Sequence, residues 1–178
     1  GDYGFPDVKK LTKQQYQSLL ERNFGDKSKD IMKLYSVKGN NALNTYNELK
    51  CDWMMATQYY LEYVRSLNSK KSTYIYLFNH TMPGKETYGA FHSSDIAYWL
   101  NYFTPLRKAY WKKADYSIGD MMSSYLVNFA KTGNPNGTKL PKWAAYNKKS
   151  VTYQLIGDKT SNITLSKKKS DFWKQFFG

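Results

Sequence analysis

The chain has 178 residues, of which 41% are hydrophobic and 17% aromatic, so it is long enough to bury the core of one domain and is not a disordered chain. No apolar run approaches the roughly 20 residues that a membrane-spanning helix needs. The formal net charge is +13, but only three of the basic residues are arginines and the lysine pairs are spread along the chain. Because arginine makes the bidentate contacts of nucleic-acid recognition, we expect a solvated, lysine-rich surface and no nucleic-acid partner.

The N-terminal third carries the pattern of several helices. Thr12 and Gln15 have the spacing of a capping box, and apolar residues then recur at helical spacing until Gly25, which suits a helix end. A short second helix is predicted over residues 30–35, and one or two helices over residues 42–67. The expected core face of the latter region consists of Leu43, Tyr46, Leu49, Met54, Leu61 and Val64.

Residues 73–79 are the clearest strand. The segment Tyr-Ile-Tyr-Leu-Phe is apolar on both faces, which is typical of a buried strand in a parallel sheet. Such a strand needs neighbours, and the preceding residues offer none. This mismatch indicates a piece of a larger sheet.

The second half of the chain mixes helices with a hairpin. Residues 80–92 predict a loop and residues 94–102 a short helix, and the strongest helical pattern then opens at Ser117 and ends near Gly133. Residues 151–155 alternate as a strand. The remaining elements are a returning hairpin strand over residues 162–165 and a final helix over residues 170–177.

The candidate catalytic residue is His92. It follows the buried strand on a Gly-containing loop, and catalytic groups of open α/β sheets gather at the carboxyl ends of strands. A loop histidine that bonds only to backbone is the structural alternative, and His80 is read as structural. The sequence has no Gly-x-Ser-x-Gly, no P-loop and no GxGxxG, and Cys51 is its single cysteine. We therefore expect no cofactor and no metal.

Three quoted segments carry a family resemblance: YIYLFNHTMPGKETYGAFHSSDIAYWL, then NFAKTGNPNG, then LPKW. In this order they resemble the C-terminal end of the type B carboxylesterases and cholinesterases, which are α/β-hydrolases, and the resemblance covers nearly the whole chain. It implies an α/β fold class: the C-terminal part of an α/β-hydrolase, mainly helical with one core sheet strand and a small C-terminal hairpin. Residues 1–178 would form the C-terminal portion of a single domain. Ala97 and Ala144 stand where this family commonly has proline.

The resemblance also implies an activity and a site. His92 would be the general base of a Ser-His-acid triad that hydrolyses carboxylic esters, and Asp95 would support the His loop or cap the following helix. Tyr98, Trp99 and Phe103 would line the substrate site, although core packing explains them equally well. The serine and the acid would lie in a missing N-terminal part of the same protein, so the isolated chain is expected to be inactive.

Two other functions stay open. One is a catalytically dead, cholinesterase-like binding or adhesion module, which a missing nucleophile elbow upstream would indicate. The other is a basic, tyrosine-rich module that binds an anionic polymer, which steeply salt-dependent binding would indicate. For the isolated chain we expect either self-association or a partner chain that holds the missing strands, because the strand edges and apolar helix faces would be exposed.

Overall fold

The computed structural model describes residues 10–149 and 151–178. Its helices are α1 Lys13–Phe24, α2 Ser28–Leu34, α3 Ala42–Asn68, α4 Ile96–Trp99, α5 Lys113–Thr132 and α6 Lys167–Phe177. Its strands are β1 Tyr76–Asn79, β2 Thr152–Gly157 and β3 Ser161–Thr164. The chain divides into two compact units, with the boundaries after Leu61 in α3 and after Thr164.

The first unit contains α1, α2, the N-terminal part of α3, and α6. The predicted capping box of α1 is confirmed: the Gln15 backbone N donates to Thr12 Oγ1 at 3.2 Å, and the Thr12 backbone N donates to Gln15 Oε1 at 2.9 Å. These bonds satisfy two backbone donors that a helix start leaves without partners. The fully buried core of this unit includes Leu20, Ile31, Tyr46, Leu49 and Trp173.

A polar network joins α6 to α3 within this unit. Asp52 on α3 accepts a hydrogen bond from the Tyr35 hydroxyl at 2.9 Å. It also forms an ion pair with Lys169 Nζ at 2.6 Å. Trp173 Nε1 donates to the same Tyr35 oxygen at 2.8 Å. Since Asp52 and Tyr35 are buried, each needs these partners, and the network fixes how α6 lies on α3.

The predicted core face of α3 is wrong in its C-terminal half. The region forms one helix of 27 residues, and Tyr46 and Leu49 are buried as expected. Leu61 and Val64, however, are 56% and 43% exposed. Helical spacing identifies residues that share a face, but it does not specify whether another element covers that face.

The second unit contains one three-stranded sheet in the order β1-β2-β3. β1 pairs in parallel with β2, with Tyr76 opposite Gln154, and β2 pairs antiparallel with β3, with Thr152 opposite Thr164. The parallel pairing predicted for the first strand is confirmed, but its predicted burial is wrong: Tyr76, Leu77 and Phe78 are only partly buried, because β2 is the one strand that flanks them among the residues described. Its neighbour comes from downstream in the chain, so the predicted hairpin is part of the same sheet. On the described residues, β1 has no strand on its other side.

α5 and α4 pack with the sheet in the core of this unit. α5 begins at Lys113, four residues before the predicted start, because the Asp115 carboxylate accepts a hydrogen bond from the Lys112 backbone N at 2.7 Å. It ends at Gly133, whose φ of +73° is the left-handed conformation of a helix C-cap. The buried core cluster consists of Tyr98, Ile118, Met122, Tyr125, Trp143 and Ile156.

Candidate active site

His92 occupies a tight turn between β1 and α4. The Ser94 backbone N donates to the Phe91 carbonyl at 3.0 Å, which places His92 and Ser93 at the two central positions of the turn. Ser93 has a φ of +66°, which is uncommon for a residue other than glycine. His92 is exposed, and its ring makes no hydrogen bond with any residue in the described part of the chain.

Asp95 lies three residues after His92 and contacts strand β1. Its Oδ2 accepts a hydrogen bond from the Tyr76 hydroxyl at 2.7 Å, and that hydroxyl accepts one from Trp99 Nε1 at 3.0 Å. Asp95 occupies the N-cap position of α4, but its side chain makes no capping hydrogen bond. Burial, followed by the hydrogen bond to Asp95, raises the pKa of Tyr76 to about 12, so the phenol remains a donor at neutral pH.

His80 lies in a second polar cluster, at the end of β1. Its Nε2 is 3.0 Å from Asp115 Oδ1, and its Nδ1 is 2.7 Å from Asp158 Oδ1. Asp115 Oδ1 also accepts a hydrogen bond from the Tyr98 hydroxyl at 2.7 Å. Burial, followed by this bond, raises the pKa of Tyr98 above its ordinary value. The cluster joins β1, α4, α5 and the β2–β3 turn.

The two histidines differ in what they can do chemically. A general base needs one ring nitrogen free to reach the nucleophile, while the other is oriented by a partner. Both nitrogens of His80 are already paired with carboxylates, so His80 is suited to hold structure. His92 has both nitrogens available in the part of the chain described. The geometry therefore favours His92 as the reactive histidine.

The three residues predicted to line the substrate site lie around α4. Tyr98 is completely buried in the core cluster, and Trp99 and Phe103 are partly buried against it. The Phe103 ring packs edge-on against Tyr98 and Trp111 at centroid distances of 5.4 and 5.1 Å. Packing in the core cluster therefore explains why Tyr98, Trp99 and Phe103 are withdrawn from solvent, and their contact with a substrate stays a prediction.

An open cavity of about 250 Å³ lies beside α4. Its lining is mainly apolar and consists of Met82, Ile96, Ala97, Leu100, Tyr102, Thr104, Arg107 and Trp111. The Arg107 guanidinium donates to the Pro83 carbonyl at 2.5 Å and stacks near the Trp111 ring. These contacts hold the guanidinium in place at the cavity wall.

Neither a metal site nor a membrane-spanning helix is found among the residues described. No group of three or more His, Cys, Asp or Glu side chains is arranged to hold a metal ion. None of the helices combines the length and apolar character that crossing a bilayer requires.

Residues 6–173 match the sequence profile of the carboxylesterase family, which is almost the entire chain. The chain belongs to the carboxylesterase family. It is 35% identical over 112 residues to carboxylesterase 4A of Bos taurus and 27% identical over 117 residues to carboxylesterase 1E of Rattus norvegicus. These matches cover 61% and 66% of the chain but only 20% and 18% of the relatives' own length.

The fold agrees with that of a solved esterase. An esterase from Clostridium hathewayi, described as able to hydrolyze aliphatic aromatic polyesters, is superimposed with a TM-score of 0.51 at 16% sequence identity. The superposition covers 97% of the chain and 34% of that esterase. The predicted fold class, part of an α/β-hydrolase with mainly helices and a small sheet, is confirmed.

Two polar partners were not predicted from the sequence. Tyr76 was assigned only to a buried strand, and Asp115 lies before Ser117, where the helix was predicted to start. Each bonds to a residue at least 17 positions away: Tyr76 to Asp95, and Asp115 to Tyr98 and His80. No local pattern marks such a pair, although a strand tyrosine among apolar neighbours signals a hydroxyl that needs a partner.

Proposed function

We propose that the chain is the C-terminal portion of a carboxylic ester hydrolase and that His92 is the general base of its Ser-His-acid triad. Membership of the carboxylesterase family supports this proposal, as does the exposed imidazole of His92 after β1, which makes no hydrogen bond with the residues that the structure describes. The substrate is a small-molecule ester. The serine and the acid come from a segment outside residues 1–178, and that segment completes one α/β-hydrolase domain with this chain.

The proposed reaction has two matched halves. His92 takes the proton of the serine hydroxyl while the serine oxygen attacks the ester carbonyl carbon, and His92 then donates this proton to the leaving alkoxide. An acyl-serine and an alcohol result. Water repeats the sequence: His92 takes a proton from water while the water oxygen attacks the acyl carbon, the acyl–serine bond breaks, the carboxylic acid leaves, and the proton returns to the serine oxygen. No cofactor is needed, since neither half changes an oxidation state.

The isolated chain is expected to be inactive. It contains no Gly-x-Ser-x-Gly segment, so it has no nucleophile elbow and none of the backbone donors that would stabilise the oxyanion. His92 alone can accept a proton, but it has no activated nucleophile beside it.

The test uses the longest natural protein that contains this chain, with a chromogenic carboxylic ester as substrate. We expect His92→Ala to lower kcat by a factor on the order of 10⁴ or more, because removal of a triad member has that effect in serine hydrolases. Lys131→Ala, a change at an exposed position of α5 outside the turn, is the control and should retain most of the activity. Comparable activity in His92→Ala and the wild type would overturn the proposal.

The alternative, a catalytically dead binding or adhesion module, predicts a different outcome. The longest natural protein would then show no turnover, and a serine-directed fluorophosphonate probe would not label it. Turnover together with labelling would exclude this alternative.

A further inference from the structure

We infer that Tyr76 is a positioning residue for the His92 turn, an inference that rests on the proposed function of His92 as general base. The Tyr76 hydroxyl donates to Asp95 Oδ2 at 2.7 Å and accepts from Trp99 Nε1 at 3.0 Å. Asp95 immediately precedes α4, and Trp99 is the last residue of α4. A single phenol oxygen on the sheet therefore joins both ends of the helix that follows His92.

The His92 turn needs such an anchor. Its own backbone bonds, Ser94 N to Phe91 O at 3.0 Å and Ile96 N to Ser93 O at 3.3 Å, close the turn on itself and do not attach it to the sheet. The left-handed conformation of Ser93 costs free energy, so the turn persists only if neighbouring contacts hold it. Among the hydrogen bonds that residues 89–95 make within the described part of the chain, the bond from Tyr76 to Asp95 is the one that reaches the sheet.

Tyr76 is itself rigidly held. Its backbone lies in β1 opposite Gln154 of β2. Its ring packs edge-on against Trp99 and Trp143, with centroid distances of 5.1 and 5.9 Å. Because the ring packs against two indoles and the pKa of Tyr76 is raised to about 12, its hydroxyl is a fixed donor at neutral pH. The position of β1 therefore determines the position of the turn that contains His92.

Loss of the Tyr76 hydroxyl is expected to lower kcat and to leave KM nearly unchanged. A general base must meet the serine hydroxyl within hydrogen-bond distance, and displacement by a fraction of an ångström misaligns proton transfer. Binding of the ester in the ground state does not depend on that alignment. Tyr76→Phe removes the donor and retains the ring, so kcat should fall about tenfold while KM changes less than about twofold.

The experiment measures kcat and KM for the longest natural protein that contains this chain and for its variants. The matched control is Tyr125→Phe, which removes a buried phenol that donates to the Pro141 carbonyl at 2.5 Å and does not contact the His92 turn. Its kcat should stay near that of the wild type. Asp95→Ala should lower kcat as Tyr76→Phe does, and the double variant should lose no more than the worse single variant, because both remove the same link.

Three results overturn the inference, and they separate it from the proposed function. If His92→Ala abolishes turnover while Tyr76→Phe keeps the wild-type kcat, Tyr76 is not a positioning residue, and the proposed function of His92 is unaffected. If Tyr125→Phe lowers kcat as much as Tyr76→Phe, the effect is general destabilisation and the inference also falls. If His92→Ala is as active as the wild type, or if the natural protein has no esterase turnover, both fall together.

Discussion

At the scale of single residues, Asp115 holds the second unit together through three hydrogen bonds. Its two carboxylate oxygens accept from the Tyr98 hydroxyl, pair with His80 Nε2 and accept from the Lys112 backbone N. The side chain is completely buried, so the charged carboxylate depends on these donors in place of water. The start of α5 and the end of β1 meet at this one group.

We predict that Asp115→Asn destabilises the fold by about 2–3 kcal/mol. The amide retains the volume but presents an NH₂ group where the carboxylate accepted, so at least one buried partner loses its bond to a charged group. The free energy of unfolding in urea measures the change. Asp120→Asn is the control, because Asp120 is exposed on the same helix and its carboxylate accepts a hydrogen bond from Asn101 Nδ2 at the surface. Equal stability of the two variants would contradict the prediction.

At the scale of elements, α4 and α5 approach closely at Gly119. A Cβ atom at this position would lie 2.6 Å from Asn101 Oδ1 and 2.7 Å from Phe103 Cζ. The Phe103 ring cannot simply rotate away, because it packs against Trp111 and Tyr116 at centroid distances of 5.1 and 4.9 Å. The absence of a side chain at Gly119 is therefore what lets the segment after α4 lie on α5.

We predict that Gly119→Ala destabilises the protein by about 1–3 kcal/mol through overpacking. Helix propensity alone predicts the opposite sign, a gain of about 1 kcal/mol, since alanine is the better helix former. Urea unfolding decides between the two. Ser117→Ala at an exposed position of the same helix is the control and should change stability by less than about 0.5 kcal/mol. A more stable Gly119→Ala variant would show that the Phe103 ring moves without cost.

At the scale of the whole molecule, the described part of the chain exposes surfaces that a complete sheet and its helices would cover. β1 is a parallel strand, and a parallel strand is normally flanked and covered by other elements, yet β2 is its only neighbour in the residues described. Large apolar side chains are exposed on α3 and around α4. These residues are Leu61, Val64, Leu67, Ile96, Leu100 and Leu106.

We predict that residues 1–178 produced alone self-associate with increasing concentration. An unpaired strand edge and exposed apolar helix faces favour pairing with another copy. Sedimentation velocity over a range of concentrations measures the effect. The variant Val64→Lys with Leu67→Lys places two charges on one exposed face and should weaken association, whereas Lys70→Arg should not. A chain that stays monomeric throughout would refute the prediction.

Much of the fold follows from short-range patterns. The capping box at Thr12, the helical spacing after Ser117 and the cap at Gly133 involve residues within about two helical turns, so the sequence displays them directly. Strand β1 and the hairpin are recognisable because a continuous apolar run, apolar alternation and turn residues are also local. The quoted motifs pointed to the carboxylesterase family for the same reason, since each is a continuous segment.

The tertiary structure decided what depends on residues far apart in the chain. His80 meets Asp115 and Asp158 across 35 and 78 positions, and β1 finds β2 only after α5 has intervened. The sequence singled out His92 and Asp95, but only the folded chain shows that Asp95 bonds to Tyr76 on the strand, while within the described ranges both nitrogens of His92 are without a hydrogen bond. Local sequence sets the backbone preferences of each element. The partners of buried polar groups are set by which elements the packing of the core brings into contact.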